Sequence, residues 1–252
     1  QCSAAERLPV RLPFGIKRVA GHPDGASFRP VLPFYGKNTA NRVRQFSVNC
    51  RTFASPWGNE DTQTLIDILA QYDVKTTFFV VGDWAEKYPE SVKALHDAGH
   101  EVMSHSNHHD HYNSLSTQQI IDDVTASNQR ISAATGVTPT LIRCPYGEYD
   151  DHVISAIRSM GMEPIQWDVD SLDWKDYDAE TICKRVTSKV QPGSIVLFHN
   201  AALHTPEALP TILSCLINDG YTVVPISQLI LDAPYTIDHT GRQFPAEAAS
   251  AT

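Results

Sequence analysis

The amino-acid sequence predicts a single α/β domain built on a parallel, closed or nearly closed sheet. From residue 45 onwards, seven strand-like runs alternate with six helical patterns, as repeated βα units do. The chain has 252 residues, 42% of them hydrophobic, which is enough apolar material for one sizeable core. Polar residues also follow four consecutive strands, and parallel barrels collect their functional groups at the carboxyl ends of strands.

The predicted strands are short apolar runs, and the segments between them repeat their apolar residues with a helical period. The strands cover residues 45–50, 76–81, 101–105, 141–144, 164–169, 194–199 and 221–226. The helices cover residues 62–72, 84–98, 117–134, 151–160, 179–190 and 206–218. Residues 45–231 therefore form the predicted domain, preceded by an irregular lead-in (1–44) and followed by a loosely ordered tail (232–252).

Capping residues support several of the helices. Ser116 directly precedes an apolar series and suits an N-cap. Pro206 lies in a first helical turn, where its missing N–H is not needed. Four glycines fall just past a helical segment, as C-terminal caps do: Gly99, Gly136, Gly161 and Gly220.

Charge and composition argue against several classes of protein. Asp and Glu outnumber Lys and Arg by 29 to 20, and no basic stretch of the kind found in nucleic-acid-binding proteins is present. No apolar run approaches the ~20 residues of a membrane-spanning helix, so no transmembrane segment is expected. The five cysteines lack CxxC spacing, which argues against a structural zinc site.

Four strand ends carry the chemistry-bearing residues. The predicted third strand leads into residues 105–109 (His-Ser-Asn-His-His), and the fourth leads into residues 143–147 (Arg-Cys-Pro-Tyr-Gly). The fifth leads into residues 168–174, which contain three aspartates, and the sixth ends in residues 197–200 (Leu-Phe-His-Asn). These groups are expected to meet at one edge of the sheet.

In this order, the four segments resemble the motifs of the polysaccharide deacetylase (NodB-homology) family, carbohydrate esterase family four. The resemblance runs from about Gln45 to Ile230. Residues 57–62, 146–149 and 166–170 resemble the sporulation-type peptidoglycan deacetylase branch. The resemblance implies a distorted (β/α) barrel of about seven parallel strands. It also implies a metal-dependent enzyme that removes N-acetyl groups from an amino-sugar polymer.

His105 and His109 are candidate metal ligands. Two imidazoles four residues apart beyond a strand end can converge on one ion and leave positions for water and substrate. An HxxxH pair alone is weak evidence, and the neighbouring motifs strengthen it. Imidazole ligands favour zinc as the divalent metal, with cobalt or manganese as alternatives. His111 is a loop residue that could contact substrate.

His199 ends a strongly apolar strand, which is compatible with two interpretations. A buried histidine of this kind can simply form local hydrogen bonds. The resemblance instead implies a general acid that protonates the leaving amine, with Asp173 as the carboxylate that holds the imidazolium. Asp168 and Asp170 are then expected to be structural or secondary.

The resemblance also assigns roles to Arg143, Tyr146, Trp174 and Leu197. It implies that the arginine orients a catalytic carboxylate and that the tyrosine backbone N–H helps hold the oxyanion. An ordinary Arg–Asp ion pair at the barrel mouth is the alternative for the arginine. Trp174 and Leu197 would line the acetyl pocket, although apolar residues at such positions are also ordinary core.

The first motif departs from the family pattern, which reads Thr-Phe-Asp-Asp and provides a base and a metal ligand. The corresponding segment is either residues 53–55 (Phe-Ala-Ser), or Asn49-Cys50 followed by six inserted residues. Neither alignment provides an aspartate. Glu60, Asp61 and Asp110 are nearby candidates for a replacement base.

Three functions are compatible with this pattern. The chain is an active deacetylase with a relocated base, a catalytically impaired relative that binds glycan without turnover, or an unrelated hydrolase on the same barrel. A Ser-His-Asp acyl hydrolase is disfavoured, because no Gly-x-Ser-x-Gly elbow occurs. For the deacetylase, the resemblance implies a polysaccharide partner, with peptidoglycan favoured, and an extracellular or cell-envelope location.

Overall fold

The computed structural model describes residues 42–50, 58–232 and 234–246, and for residues 42–50 it describes the backbone. The strands are β1 (Arg42–Cys50), β2 (Thr77–Val80), β3 (Glu101–Ser104), β4 (Leu141–Ile142), β5 (Glu163–Pro164), β6 (Val169–Asp170), β7 (Ile195–His199), β8 (Tyr221–Val223), β9 (Tyr235–Ile237) and β10 (Gln243–Pro245). The helices are α1 (Thr62–Gln71), α2 (Gly82–Lys87), α3 (Pro89–Asp97), α4 (Thr117–Thr135), α5 (Asp151–Ser159), α6 (Ala179–Thr187), α7 (Thr205–Asn218) and α8 (Ile226–Leu229). Short 3₁₀ turns cover Tyr112–Ser114, Pro145–Gly147 and Asp173–Lys175.

Eight of the strands form one parallel sheet, which confirms the predicted α/β class. The order is β5-β4-β3-β2-β1-β7-β6, and β8 pairs with the first part of β1. β1 is central, because it pairs with β2 on one side and with β7 on the other, and its first part also pairs with β8. The carboxyl ends of these strands therefore share one edge.

The two ends of this sheet order are linked by a very short connection. β5 and β6 are the outermost strands, yet only residues 165–168 separate them in the chain. Five residue steps of extended chain span at most about 17 Å. The sheet must therefore curl until its ends approach each other, as in a distorted (β/α) barrel.

The core packs the sheet against the surrounding helices. The largest apolar cluster joins Val80, Val196 and Phe198 of the sheet to Leu65 of α1 and Leu213 of α7. A second cluster lies beneath α4 and α5. Both clusters are buried from solvent, so apolar burial fixes the strand ends that carry the polar residues.

Three predicted elements differ from the structure, and proline explains two of the differences. The predicted helix 84–98 is divided into α2 and α3 at Tyr88, which precedes Pro89 and has φ −131°. The predicted strand 221–226 ends at Val223, because Pro225 begins the short helix α8. The predicted strand 164–169 is divided into β5 and β6, which lie at opposite ends of the sheet order.

The predicted caps are confirmed. Ser116 forms a capping box with Gln119 at the start of α4. Gly136 ends α4 with φ 75°, in the left-handed region that favours glycine. Gly99, Gly161 and Gly220 also have positive φ, and Pro206 lies in the first turn of α7.

The ends of the domain also differ from the sequence prediction. β1 begins at Arg42, three residues before the predicted strand. Within the expected tail, β9 and β10 form an antiparallel hairpin, and Arg242 beside it lies 3.3 Å from the carboxylate of Asp168. The remainder of the expected lead-in (1–41) and the end of the tail (247–252) lie outside the described residues. The division of the chain into lead-in, barrel domain and tail stays a prediction.

His100, just before β3, is expected to make the stability of the fold sensitive to acid. It is buried, its Nδ1 accepts a hydrogen bond from the Thr76 N–H at 3.2 Å, and burial lowers its pKa to about 4. An unfolded histidine has a pKa near 6.5, so the unfolded state takes up the proton first. The free energy of unfolding should therefore fall, by up to about 3 kcal/mol, as the pH drops from about 6.5 to about 4.

Urea unfolding of the wild type and of His100→Asn at pH 7 and pH 4.5 would test this. The asparagine keeps an acceptor for Thr76 but does not titrate, so its unfolding free energy should change less between the two pH values. His96→Asn, on the outer part of α3, is the matched control. An equal pH dependence in wild type and His100→Asn would contradict the assignment.

Candidate active site

The predicted site residues lie together at the carboxyl edge of the sheet. His105 follows β3, Arg143 follows β4, Asp173 follows β6 and His199 ends β7. These four and His109 are all buried. The sequence-based expectation that successive strand ends contribute to one site therefore agrees with where the structure places them.

Asp173 and His199 form a buried pair. His199 Nδ1 donates to Asp173 Oδ1 at 2.8 Å, and the His199 backbone N–H donates to Asp173 Oδ2 at 2.7 Å. Thr205 Oγ1 and the Trp174 N–H also donate to this carboxylate, at 2.7 and 2.9 Å. Burial alone would raise the pKa of Asp173, but His199 and these hydrogen bonds hold it below its usual value. Asp173 is thus an anion that orients the imidazole and would stabilise its protonated form.

His105 and His109 face each other beyond β3. The His105 side chain is 1% exposed, and its Nδ1 lies 2.7 Å from the Arg143 carbonyl oxygen, to which a proton on Nδ1 would be donated. In that tautomer Nε2 carries the lone pair, as in metal-binding histidines. The two rings lie 4.9 Å apart at 81°.

The donor set at these two histidines fits a divalent metal in part. Two imidazoles are suitable ligands for zinc, cobalt or manganese. Across residues 58–232 and 234–246, no group of three His, Cys, Asp or Glu residues is placed to hold an ion. Any further ligand would therefore come from elsewhere in the chain, from solvent or from substrate.

Strained backbone clusters around this edge. Among the described residues other than glycine, six have φ between 53° and 71°: Ser106, His109, Tyr146, Leu172, Asp176 and Ala201. A left-handed conformation costs non-glycine residues of order 1–3 kcal/mol, and such residues persist where surrounding contacts fix them. Each of the six lies in a segment that follows one of the site strands. This clustering is typical of functional sites.

Arg143 is fully buried beneath the site. Its guanidinium lies 3.4 and 3.5 Å from the carbonyl oxygens of Ile165 and Gln166, and over the rings of Phe79 and Trp167 at 4.2 and 5.5 Å. Burial lowers its pKa to about 9, so it stays charged at neutral pH. These contacts bind the β4 end to the segment that closes the sheet. Its proposed action on a catalytic carboxylate stays a prediction.

Two of the predicted substrate-binding residues lie at the mouth of the site and one lies inside. Tyr146 and Trp174 are 43% and 46% exposed, so neither is ordinary core. Tyr146 stacks on His111, with ring centres 4.0 Å apart, and its edge contacts His109. Leu197 is buried within β7. An aromatic rim above a buried polar site suits a sugar polymer, whose rings have apolar faces.

Asp168 and Asp170 have structural contacts, as expected. Asp168 accepts hydrogen bonds at 2.8 Å from Ser194 Oγ and from the Ile195 N–H, at the first residue of β7. His199 is the last residue of that strand, about 13 Å further along. Asp170 Oδ1 accepts from the Leu172 N–H at 2.9 Å and so shapes the turn before Asp173.

Of the three candidate replacement bases, Asp61 has the closest connection to His199. Its Oδ2 accepts a hydrogen bond from the Ala201 N–H at 2.6 Å, and its Oδ1 is buried without a hydrogen-bond partner among the described residues. Burial raises the pKa of Asp61, and the carboxylates of Glu60 and Asp173 raise it further. Glu60 and Asp110 are exposed.

The register of β1 locates one of the two segments that could correspond to the first motif, Asn49-Cys50. Asn49 is the register partner of His199 on one side and of Phe79 on the other. In the alignment that uses Asn49-Cys50, an asparagine would thus lie at the level of His199, in place of the aspartate that the resemblance implies. The alternative segment 53–55 lies outside the described residues.

Sequence reasoning missed the contacts that support the site from neighbouring helices. Asp123 of α4 accepts hydrogen bonds from the loop between His105 and His109. Arg130 of the same helix bonds to Asp83 at 2.6 Å. One feature of the sequence could have predicted these contacts. Polar residues recur at positions 123, 127 and 130, on a helix face that is otherwise expected to be apolar.

These features define a parallel α/β barrel protein with a buried His–Asp pair at the carboxyl edge of its sheet. The chain belongs to the polysaccharide deacetylase family, carbohydrate esterase family 4. The family model described as polysaccharide deacetylase matches residues 47–165. Structures of family members agree over most of the chain.

Two curated relatives illustrate the similarity. An uncharacterized protein of Bacillus subtilis, YlxY, is 28% identical over 198 residues, which cover 79% of this chain and 60% of the relative. The peptidoglycan-N-acetylglucosamine deacetylase PgdA of Listeria monocytogenes is 35% identical over 178 residues, 71% of this chain and 38% of the relative. The chain thus spans between about two fifths and three fifths of these relatives.

Two solved structures extend the comparison. Peptidoglycan deacetylase PdaC of Bacillus subtilis is 30% identical, with a TM-score of 0.68, over 75% of this chain and 90% of that one. A carbohydrate esterase family 4 pseudoenzyme of Bacillus anthracis is 34% identical, with a TM-score of 0.70, over 75% of this chain and 66% of that one. Among the described residues of this chain, no helix is long and apolar enough to cross a bilayer.

Proposed function

We propose that this chain is a deacetylase that hydrolyses N-acetyl groups on the amino sugars of a peptidoglycan-type polymer. The observation that carries the proposal is the buried His199–Asp173 pair, whose Nδ1–Oδ1 distance is 2.8 Å, beneath an exposed aromatic rim. The similarity to peptidoglycan deacetylases supports the substrate class. We therefore propose a location at the cell envelope or outside the cell, where such a polymer lies.

In the proposed reaction, a water oxygen adds to the acetyl carbonyl carbon. His199 then donates its proton to the amide nitrogen, the C–N bond breaks, and acetate and the free amine leave. Asp173 keeps the imidazole oriented and stabilises its protonated state. The backbone N–H of Tyr146, in a strained turn with φ 58°, is the proposed donor to the developing oxyanion.

His105 and His109 are the proposed holders of a divalent metal, with zinc expected and cobalt or manganese as alternatives. Lewis-acid polarisation of the acetyl carbonyl is the chemistry that such an ion supplies when bound. Arg143 keeps the end of β4 in place, so that the carbonyl oxygen of this residue stays available to orient His105. Trp174 and Leu197 are proposed to contact the acetyl group.

Asp61 is the proposed acceptor of the water proton, and Asp61→Asn should lower kcat at least tenfold, because general bases contribute about 10² to 10⁴ in rate. Only the ionised carboxylate acts as a base, and the pKa of Asp61 is raised. The activity of the wild type should therefore fall as the pH drops through that raised value. Residual activity of Asp61→Asn should lack this acidic limb. The measurement is acetate release from pH 4 to 8.

Asp110→Asn provides the matched control, because Asp110 is an exposed carboxylate near the same site. It should leave both kcat and the acidic limb unchanged. An Asp61→Asn protein with wild-type kcat and an unaltered pH profile would refute the proposed role of Asp61.

A second candidate function is glycan binding without turnover. It is favoured by Asn49, which lies at the level of His199 and which, in one of the two alignments with the family's first motif, takes the place of an aspartate. The similarity to a pseudoenzyme of Bacillus anthracis supports it as well. In this case the exposed rings of Tyr146 and Trp174 would still bind the polymer.

Acetate release from chitooligosaccharides and from peptidoglycan separates the two functions. The protein would be assayed in chelator and then with zinc, cobalt or manganese restored. Metal-dependent release supports the deacetylase. No release with any of the metals, together with retained glycan binding, would overturn the deacetylase in favour of the binding protein.

A further inference from the structure

One face of α4 packs against the loop that contains both candidate metal ligands, residues 105–109. Asp123, Ser127 and Arg130 are four and three residues apart, so their side chains share this face. Ser127 Oγ lies 3.0 Å from the hydroxyl of Ser104, the last residue of β3. The helix is therefore fixed to the strand end from which the loop departs.

Asp123 makes the most direct contacts with the loop. Its Oδ1 accepts hydrogen bonds from the Asn107 N–H at 2.9 Å and from Tyr112 Oη at 2.6 Å. Its Oδ2 accepts from the His108 N–H at 3.3 Å. One carboxylate thus binds two consecutive backbone N–H groups, both of which lie between the two candidate metal ligands.

The loop needs such contacts because its backbone is strained. Ser106 and His109 have φ 71° and 62°. The His109 N–H donates to Ser106 Oγ at 2.8 Å, and the Gly82 N–H donates to the Ser106 carbonyl at 2.9 Å. These bonds fix the start and end of the loop. Asn107, at its centre, also accepts hydrogen bonds from the Asp83 N–H and from Arg130, both at 3.0 Å, whereas Asp123 is the acceptor for the N–H groups of residues 107 and 108. Without this carboxylate the two N–H groups could turn, and the His109 ring could move away from His105.

We propose that Asp123 is a positioning residue that holds His105 and His109 in the arrangement required by a divalent metal. The inference rests on the proposed metal site. Asp123 does not touch the ion in this scheme and acts through the backbone of residues 107 and 108. Its effect should therefore appear in metal affinity, before any effect on the chemical step.

Zinc affinity of the purified full chain tests the inference, measured by competition with a chromophoric chelator at pH 7.5. Asp123→Asn replaces one acceptor oxygen by an NH₂ group, which faces backbone or tyrosine donors. We expect zinc to bind about 10- to 100-fold more weakly, as for other residues that orient metal ligands. Circular dichroism would confirm that the variant is folded.

Asp122→Asn is the matched control, because it makes the same chemical change at the next residue. Asp122 is exposed and accepts a hydrogen bond from Gln118 on the outer face of α4. Its zinc affinity should equal that of the wild type. A double His105→Ala/His109→Ala variant measures zinc bound by other histidines.

The outcomes separate this inference from the proposed function. Wild-type zinc affinity in Asp123→Asn would overturn the positioning role while leaving the metal site intact. A wild type that binds no more zinc than the double variant would overturn the metal site and this inference with it. If Asp123→Asn does not fold, Asp123→Ser leaves one short acceptor that cannot bond both N–H groups, and a wild-type zinc affinity in that variant would also contradict the inference.

Discussion

Replacing His199 with alanine is expected to lower acetate release by a factor of about 10² to 10⁴, the range that a general acid contributes. The amide nitrogen is a poor leaving group until it is protonated, and His199 is placed for this by Asp173 at 2.8 Å. Glycan affinity should change by less than about threefold, because the exposed rings of Tyr146 and Trp174 remain. The loss should therefore appear in kcat, measured as acetate release, and not in the dissociation constant of a chitooligosaccharide.

His204→Ala is the control for this result. His204 lies five residues further along the same connection and pairs with Glu207 at 3.3 Å near the surface. It should keep wild-type kcat. Unchanged acetate release in His199→Ala would remove the acid role, whereas a parallel loss of glycan affinity would indicate that the site had collapsed.

That Asp173 and His199 meet follows from strand ends, although the choice of Asp173 among three aspartates came from the family resemblance. β6 and β7 are neighbours, with Asp170 opposite Leu197, so residues just beyond these positions must be close. The same reasoning located His105 and Arg143 at the ends of β3 and β4. A periodic pattern is sufficient to predict that such residues share one edge, since every parallel strand delivers its last residue there.

Contacts that depend on loops could not be predicted in the same way. Asp61 and Ala201 are 140 residues apart in sequence, and no local pattern indicates that one hydrogen bond joins them. The division of the predicted strand 164–169 was also missed, because the connecting residues 165–168 (Ile-Gln-Trp-Asp) alternate apolar and polar side chains as a strand does. By contrast, the break of the predicted helix at Tyr88 could have been inferred from Pro89.

The strained backbone of the site is held in place by residues outside the sequence motifs. Tyr146, with φ 58°, is followed by Gly147, whose carbonyl accepts a hydrogen bond from Gln166 at 2.7 Å. Trp167 packs so closely on Gly147 that an added Cβ would meet its ring at 2.7 Å. The turn that carries the proposed oxyanion donor is thus fixed by the segment between β5 and β6, and this segment is the one that sequence periodicity described least well.

Introducing an aspartate at position 49 is expected to raise acetate release at least tenfold. Neighbouring strands lie about 4.8 Å apart, and Asn49 is the register partner of His199. We expect a carboxylate at the level of His199 to provide one of the two roles that the resemblance implies for the family's first motif, the base or the anionic metal ligand. Acetate release with zinc restored, compared between wild type and Asn49→Asp, is the measurement.

Asn113→Asp, an identical change on an exposed turn, controls for the added charge and should not alter the rate. The combination with Asp61→Asn is more informative. If the new carboxylate takes over proton abstraction, then Asp61→Asn should cost at least tenfold in the wild type but little in the Asn49→Asp background. If Asp61→Asn lowers the rate equally in both backgrounds, Asp61 is still the base and the carboxylate at position 49 acts as a metal ligand. No gain from Asn49→Asp would place the missing carboxylate elsewhere and contradict the alignment of this strand end with the first motif.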